Sequence, residues 1–151
     1  MFLNYRPNLL LIKSIIAYQK FARKSGMISF ILKRHASLRY RFWSLITASD
    51  IHRDARISPD LKLPHPMGVV IHQDAKIGPG CMIMQQVTVG QLASGGAPIV
   101  GSGVYIGAGA KLLGEITIGD NVRIGANAVV LCDLPPNSTA VGVPARIIQR
   151  E

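Results

Sequence analysis

His65 lies between Pro64 and Pro66, with Gly68 close behind. Prolines and glycine are poor material for the inside of a helix or strand, so this histidine marks a break in regular structure. Held outside a regular element, its imidazole is free to reach a ligand. Near pH 7 the neutral ring accepts a proton, which suits it to act as a general base. His52 and His72 flank it, and His72 comes directly after Ile71. Three histidines this close raise the question of a metal. Their spacing repeats no ligand pattern and no supporting carboxylate set is evident, so no metal is expected. His72, where a corner glycine is usual, has a role near the site only as its lesser reading, and His52 and His35 are expected as structural or exposed residues. Cys81 and Cys132 are far apart, form no CxxC pattern, and are expected as inert core thiols in a reducing, cytoplasmic compartment.

The elements that must hold His65 follow from a repeat. Aliphatic residues fall six apart at Ile51, Ile57 and Leu63. After a slip of two they resume at Ile71, Ile77, Ile83 and Val89. After a second slip they run from Val100 through Ile106, Leu112, Ile118 and Ile124 to Val130. Glycine follows the aliphatic at Gly78, Gly90, Gly101, Gly107, Gly119 and Gly125, and a small or aliphatic residue comes four places after it. A period of six fits neither a 3.6-residue helix nor a sheet with variable loops. It predicts a parallel β-helix, three hexads to a triangular coil, whose core is buried only by stacking neighbours. The first slip contains His65 and the second contains residues 91–98. Insertions on a rigid solenoid are where function is placed.

These repeats, over residues 50–150, resemble the hexapeptide-repeat acyltransferases, which implies a left-handed coil. The segments DIH (50–52), PHPMGVVI (64–71), QQVTVG (85–90), IGAGAKLLG (106–114) and GVPAR (142–146) look like serine O-acetyltransferases. They look still more like the small acetyltransferases of exopolysaccharide clusters, such as the colanic-acid enzymes. The resemblance implies that His65 is the general base and that Asp50, fifteen residues earlier, pairs with it. A carboxylate on the second ring nitrogen fixes the tautomer and stabilises the imidazolium. It also implies acetyl-CoA as donor. Ala108 and Ala126 would meet the pantetheine arm through backbone groups. Arg146 would meet the phosphate end, where a planar guanidinium donates paired hydrogen bonds. The family's second arginine falls at Gln149, with Arg150 next door as its substitute. A homotrimer is implied, with His65 of one chain facing the 91–98 loop of another.

The acceptor is less direct. Serine enzymes hold the amino acid by its charges, with an aspartate where this chain has Pro64 and an Arg-His pair where it has Gly96 and Ala97. A zwitterion would lack partners there. The reading expected from this is O-acetylation of a sugar hydroxyl in polysaccharide biosynthesis. The alternatives are a serine O-acetyltransferase of cysteine biosynthesis and a non-catalytic β-helix scaffold.

The front of the chain differs from the rest. Residues 1–49 hold nine Lys/Arg and no Asp or Glu, while residues 50–151 hold eight of each, so the net charge of +9 lies in the first third. Two helical segments are predicted, one opening at Pro7 and closing by Gly26, the other from Met27 to about Thr47. The division is a basic helical region, 1–49, and a β-helix domain, 50–151. The helices are expected as a hairpin with its apolar faces packed on the solenoid, with peripheral contact to the inner face of a membrane as the second reading. No stretch reaches the ~20 apolar residues of a span. No recognition motif accompanies the charge, so nucleic acid is not expected as a partner.

Overall fold

A computed structural model describes residues 7–148. Helices α1 (Pro7–Ala22) and α2 (Met27–Thr47) precede fourteen short strands, β1 to β14 in chain order. The strands wind into a three-sided parallel β-helix. Its first face stacks β1 (Asp50–Ile51), β3 (Val70–Ile71), β6 (Thr88–Gly90), β9 (Lys111–Leu113) and β12 (Val129–Val130). The second stacks β2 (Arg56–Ile57), β4 (Lys76–Ile77), β7 (Ile99–Val100) and β10 (Thr117–Ile118). The third stacks β5 (Met82–Ile83), β8 (Tyr105–Ile106), β11 (Arg123–Ile124) and β13 (Thr139–Val141), and β14 (Arg146–Ile148) closes it antiparallel.

The register accounts for the slips. Ile71 pairs with Val89 and Ile106 with Ile124, one coil of 18 residues in each case. Ile51 pairs with Ile71, 20 apart, and Ile77 with Val100, 23 apart. The excesses of two and five residues leave at corners, so every aliphatic column stays in phase. The residues four places after each aliphatic, such as Ala55, Ala75, Cys81 and Ala110, are fully buried and fill the inner corners. The glycines that follow the aliphatics serve close approach. A Cβ at Gly78 would lie 2.5 Å from the carbonyl oxygen of Gly101 in the next coil. Positive φ is used two places later, as at Gly80 (φ 71).

Helix α1 closes the first coil. Leu11, Ile12 and Ile15 join the solenoid core, Asn8 Nδ2 donates to Leu63 O (2.8 Å), and Gln19 Nε2 donates to Arg53 O (2.9 Å) and Ala55 O (2.8 Å). These carbonyls belong to the bottom coil, which has no strand beneath it among the described residues, so α1 satisfies an otherwise open edge.

Two expectations need correction. Helix α2 leaves most of its large apolar side chains uncovered, although Tyr40 and Trp43 pack partly buried against the core. Its fully buried residues are the small Ser29, Ala36 and Thr47, while Met27, Ile31, Leu38, Phe42 and Leu45 face outward and are exposed. The second correction concerns the cysteines. Cys81 is buried, its Sγ donating to Gly101 O at 3.0 Å, and burial pushes its thiol pKa up. Cys132 is exposed, because the inward positions of its hexad are Val130 and Leu134 and the three residues between them, 131–133, are all exposed.

Candidate active site

The His65 loop, residues 64–68, occupies the corner where the third face turns into the first. Pro66 O accepts from Val69 N (3.1 Å), which tightens the loop, and Gly68 takes φ 69. Below, Gly68 N donates to Ala48 O (2.7 Å) and Asp50 N to Val69 O (2.8 Å), so the Asp50 segment lies directly beneath the loop. Above, Gln86 N donates to Met67 O (2.9 Å). His65 is exposed at this corner and Asp50 is exposed at the start of β1. The ion pairs that histidines form among the described residues are His52–Asp54 at 3.8 Å and His72–Asp74 at 3.7 Å. The structure therefore brings Asp50 and the His65 loop together through backbone, without a direct bond between carboxylate and imidazole.

The same corner continues upward as one ridge. Gly109 N donates to Gln85 O (2.9 Å) and Asn127 N to Ala108 O (2.8 Å). Ala108 and Ala126 hold equivalent places on successive coils, because Ile106 pairs with Ile124. Gly125 N donates to Ala140 O (2.9 Å), and Val141 pairs with Arg146, so the exposed Arg146 stands at the top of this ridge. His65, Ala108, Ala126 and Arg146 thus share one edge of the prism. Arg150 and Gln149 lie outside the described residues. The Gln85 side chain sits at the same corner, with its Oε1 buried and lacking a hydrogen-bond partner.

The 91–98 insertion leaves β6 at the opposite end of the first face. It folds back tightly, Gly95 N donating to Leu92 O (2.9 Å). His65 and this insertion therefore bound the same face from two different corners of one chain. Between them a groove is lined by Asp50, His52, Val70, His72 and Gly90. His52 and His72 occupy adjacent coils, and each Nδ1 accepts from a backbone N–H, that of Asp54 (3.2 Å) and Asp74 (3.3 Å) respectively. His52, expected as structural or exposed, is half-buried in this groove with His72. No three His, Cys, Asp or Glu residues cluster to hold a metal among the described residues.

Helix α2 also contributes to the site, which its sequence pattern did not reveal. Its last turns bring Tyr40 and Arg41 to the Asp50 edge, where both line a groove with Ser44, Ser49, Asp50 and Gly68. Burial, and then the Asp50 carboxylate, push the Tyr40 phenol pKa upward. A helical periodicity shows which face of α2 is apolar. It does not show that Ala48, in the left-handed region at φ 49, turns the chain so that the end of α2 lies beside β1.

Residues 97–132 match the bacterial transferase hexapeptide family (six repeats). The chain is 45% identical over 125 residues to the serine acetyltransferase of Helicobacter pylori strain J99, covering 81% of this chain and 71% of that one. Against the serine acetyltransferase of Synechococcus elongatus it is 46% identical over 109 residues, covering 70% of this chain but 45% of the relative. The structure of soybean serine acetyltransferase complexed with serine superposes with a TM-score of 0.81 and 36% identity, over 97% of this chain and 58% of that one. The chain thus spans between about half and seven-tenths of the length of these relatives. The β-helix expected from the hexads agrees with the left-handed hexapeptide-repeat fold. The sugar acceptor does not stand. It rested on Pro64, Gly96 and Ala97 replacing charged residues, and the relatives, at 40–46% identity, are serine acetyltransferases. A repeat this regular, a His65 loop seated at its corner, and 45% identity across most of a relative's length have one reading: the chain belongs to the serine acetyltransferase family of hexapeptide-repeat proteins.

Proposed function

We propose that this chain is an acetyl-CoA-dependent serine O-acetyltransferase. The observation that carries the acceptor is the 45% identity to a serine acetyltransferase over 71% of its length. The donor is supported by the ridge and by a solved serine acetyltransferase complex with CoA, which superposes with a TM-score of 0.80 at 35% identity, over 96% of this chain and 58% of that one. In this reading the pantetheine arm runs along the ridge past Ala126 and Ala108, with Arg146 at the phosphate end. His65 takes the proton of the serine hydroxyl as the oxygen attacks the thioester carbonyl. The C–S bond then breaks, and the CoA sulfur leaves with the proton from the imidazolium. Asp50, which lies beneath the loop and makes no direct bond to the ring in the free chain, closes on it when substrate binds, orienting the ring and stabilising its charged form.

Arg41 answers the objection that a zwitterion finds no partners. It lines the groove with Asp50 and supplies a cation for the carboxylate where Gly96 and Ala97 cannot. We place the complete site between chains of a homotrimer. His65 and the 91–98 loop lie at opposite ends of one face, so a neighbour's loop is needed to meet His65. The test supplies acetyl-CoA and L-serine to the purified chain and follows CoA release and product mass. O-acetylserine at rates that fall with His65→Ala is expected. CoA release without O-acetylserine would overturn the acceptor.

A further inference from the structure

We infer that α2 is a docking surface for an anionic lipid bilayer, lying in the interface rather than crossing it; this inference is independent of the acceptor. Met27, Ile31, Leu38, Phe42 and Leu45 are spaced by four, seven, four and three residues, which places them on one stripe of a 3.6-residue helix. They are between 53% and 81% exposed. Apart from Tyr40 and Trp43, which pack partly buried against the core, the helix turns small residues to α1 and large apolar ones away. A stripe of this size, continuous over a 21-residue helix, calls for an occupant.

Charge decides which occupant. Exposed Arg34 borders the stripe on one side and exposed Arg39 on the other. Residues 1–49 contain no acidic side chain to answer them. A second copy laid on this face would set cation against cation. An anionic leaflet offers both phases at once: acyl chains for the stripe and headgroup charge for its borders. No helix among the described residues is long and apolar enough to cross a membrane. An apolar face bordered by arginine matches a helix lying flat, sunk about 5–10 Å at the headgroup boundary.

The full chain should co-sediment with vesicles of phosphatidylglycerol and phosphatidylcholine at low salt, and much less with phosphatidylcholine alone. Each basic residue near an anionic surface contributes about fivefold to partitioning, so Arg34→Gln with Arg39→Gln should weaken binding roughly 25-fold. Ile31→Ser with Leu38→Ser should weaken binding to the same vesicles at high as well as low salt, because the apolar contribution is not screened. Circular dichroism and acetyl-CoA turnover in solution should be unchanged in the arginine variant, which keeps the test valid should the serine variant fold poorly. Absence of partitioning into anionic vesicles at low salt would refute the inference. So would equal binding by the arginine variant. An assembly state that shrinks in the serine variant without any vesicle binding would assign the stripe to a second copy instead.

Discussion

Gly68→Ala tests whether the His65 loop is held as rigidly as its contacts require. Gly68 has φ 69, its N–H donates to Ala48 O at 2.7 Å, and an added Cβ would stand 3.2 Å from Gln86 Cγ and 3.5 Å from Gln86 Cα. An L-residue in the left-handed region costs roughly 1–2 kcal/mol. Gly95 provides the control. Its φ is 90 and nothing lies within 4 Å of an added Cβ, so Gly95→Ala carries the backbone cost alone. Gly68→Ala carries the same cost and must also push Gln86, which is bonded to Met67 of the loop. Thermal unfolding should therefore fall by about 2–8 °C for Gly95→Ala, on the scale of 2–4 °C per kcal/mol for a chain of this size, and by more for Gly68→Ala. Gly95 serves as the control for stability only, since its loop belongs to the proposed site. A displacement of about 1 Å at a catalytic group costs on the order of 100-fold, so turnover should drop sharply for Gly68→Ala relative to the parent chain. Equal stability of the two variants, with parent-level turnover in Gly68→Ala, would refute the claim that the loop is clamped between Ala48 and Gln86.

His65→Ala should lower kcat by roughly 10²–10⁴ with an unchanged circular dichroism spectrum, and Asp50→Asn should cost less, because it orients the ring rather than moving the proton; near-normal turnover in His65→Ala would remove it from the chemistry. Arg146→Ala should raise KM for acetyl-CoA by about 10–100-fold, the equivalent of a charged hydrogen bond of 1.5–3 kcal/mol, with kcat nearly kept, and an unchanged KM would leave Arg146 a solvated charge. Asp60 accepts from Ser58 Oγ and Gly80 N, which hold its carboxyl below the ordinary carboxylate range. Its contribution is present above the ordinary carboxylate pKa and is lost as pH falls through the lowered folded value. Asp60→Asn should accordingly flatten part of the acid limb of the urea midpoint against pH, and an unaltered limb would show that these bonds carry no linkage.

The solenoid was legible because its signal is redundant. Each column is written several times, as in Ile51, Ile71, Val89, Leu112 and Val130, and the two slips in the hexad spacing equal the two and five extra residues in the register. Cys132 was readable by the same phase and misjudged only because its residue type outweighed its position. The placement of α2 was not legible. Its pattern gives an apolar stripe and a polar one, but Ser29 and Ala36 face α1 through close approach, which hydrophobicity does not encode. The same limit hid Tyr40 and Arg41, which reach Asp50 through one left-handed residue, Ala48. The acceptor was misjudged because it was argued from three absent charges within the solenoid, while relatives of 40–46% identity are serine acetyltransferases.

The shared edge also behaves as a measuring device. His65 is on the first coil, Ala108 on the third, Ala126 on the fourth and Arg146 past the fifth, and neighbouring strands are about 4.8 Å apart. With CoA held as proposed, the distance between the anchoring end and the reacting end of the donor would be counted in whole coils. Excising 18 residues, 107–124, would return every aliphatic to its column, because Ile106 and Ile124 already share one. Such a shortened chain would keep its core and its hexad phase. Its two ends would nevertheless be one step too close, and a thioester anchored at Arg146 would overshoot the histidine. Under the proposed donor site, coil number, which looks like mere repetition, would set which carrier length the molecule accepts.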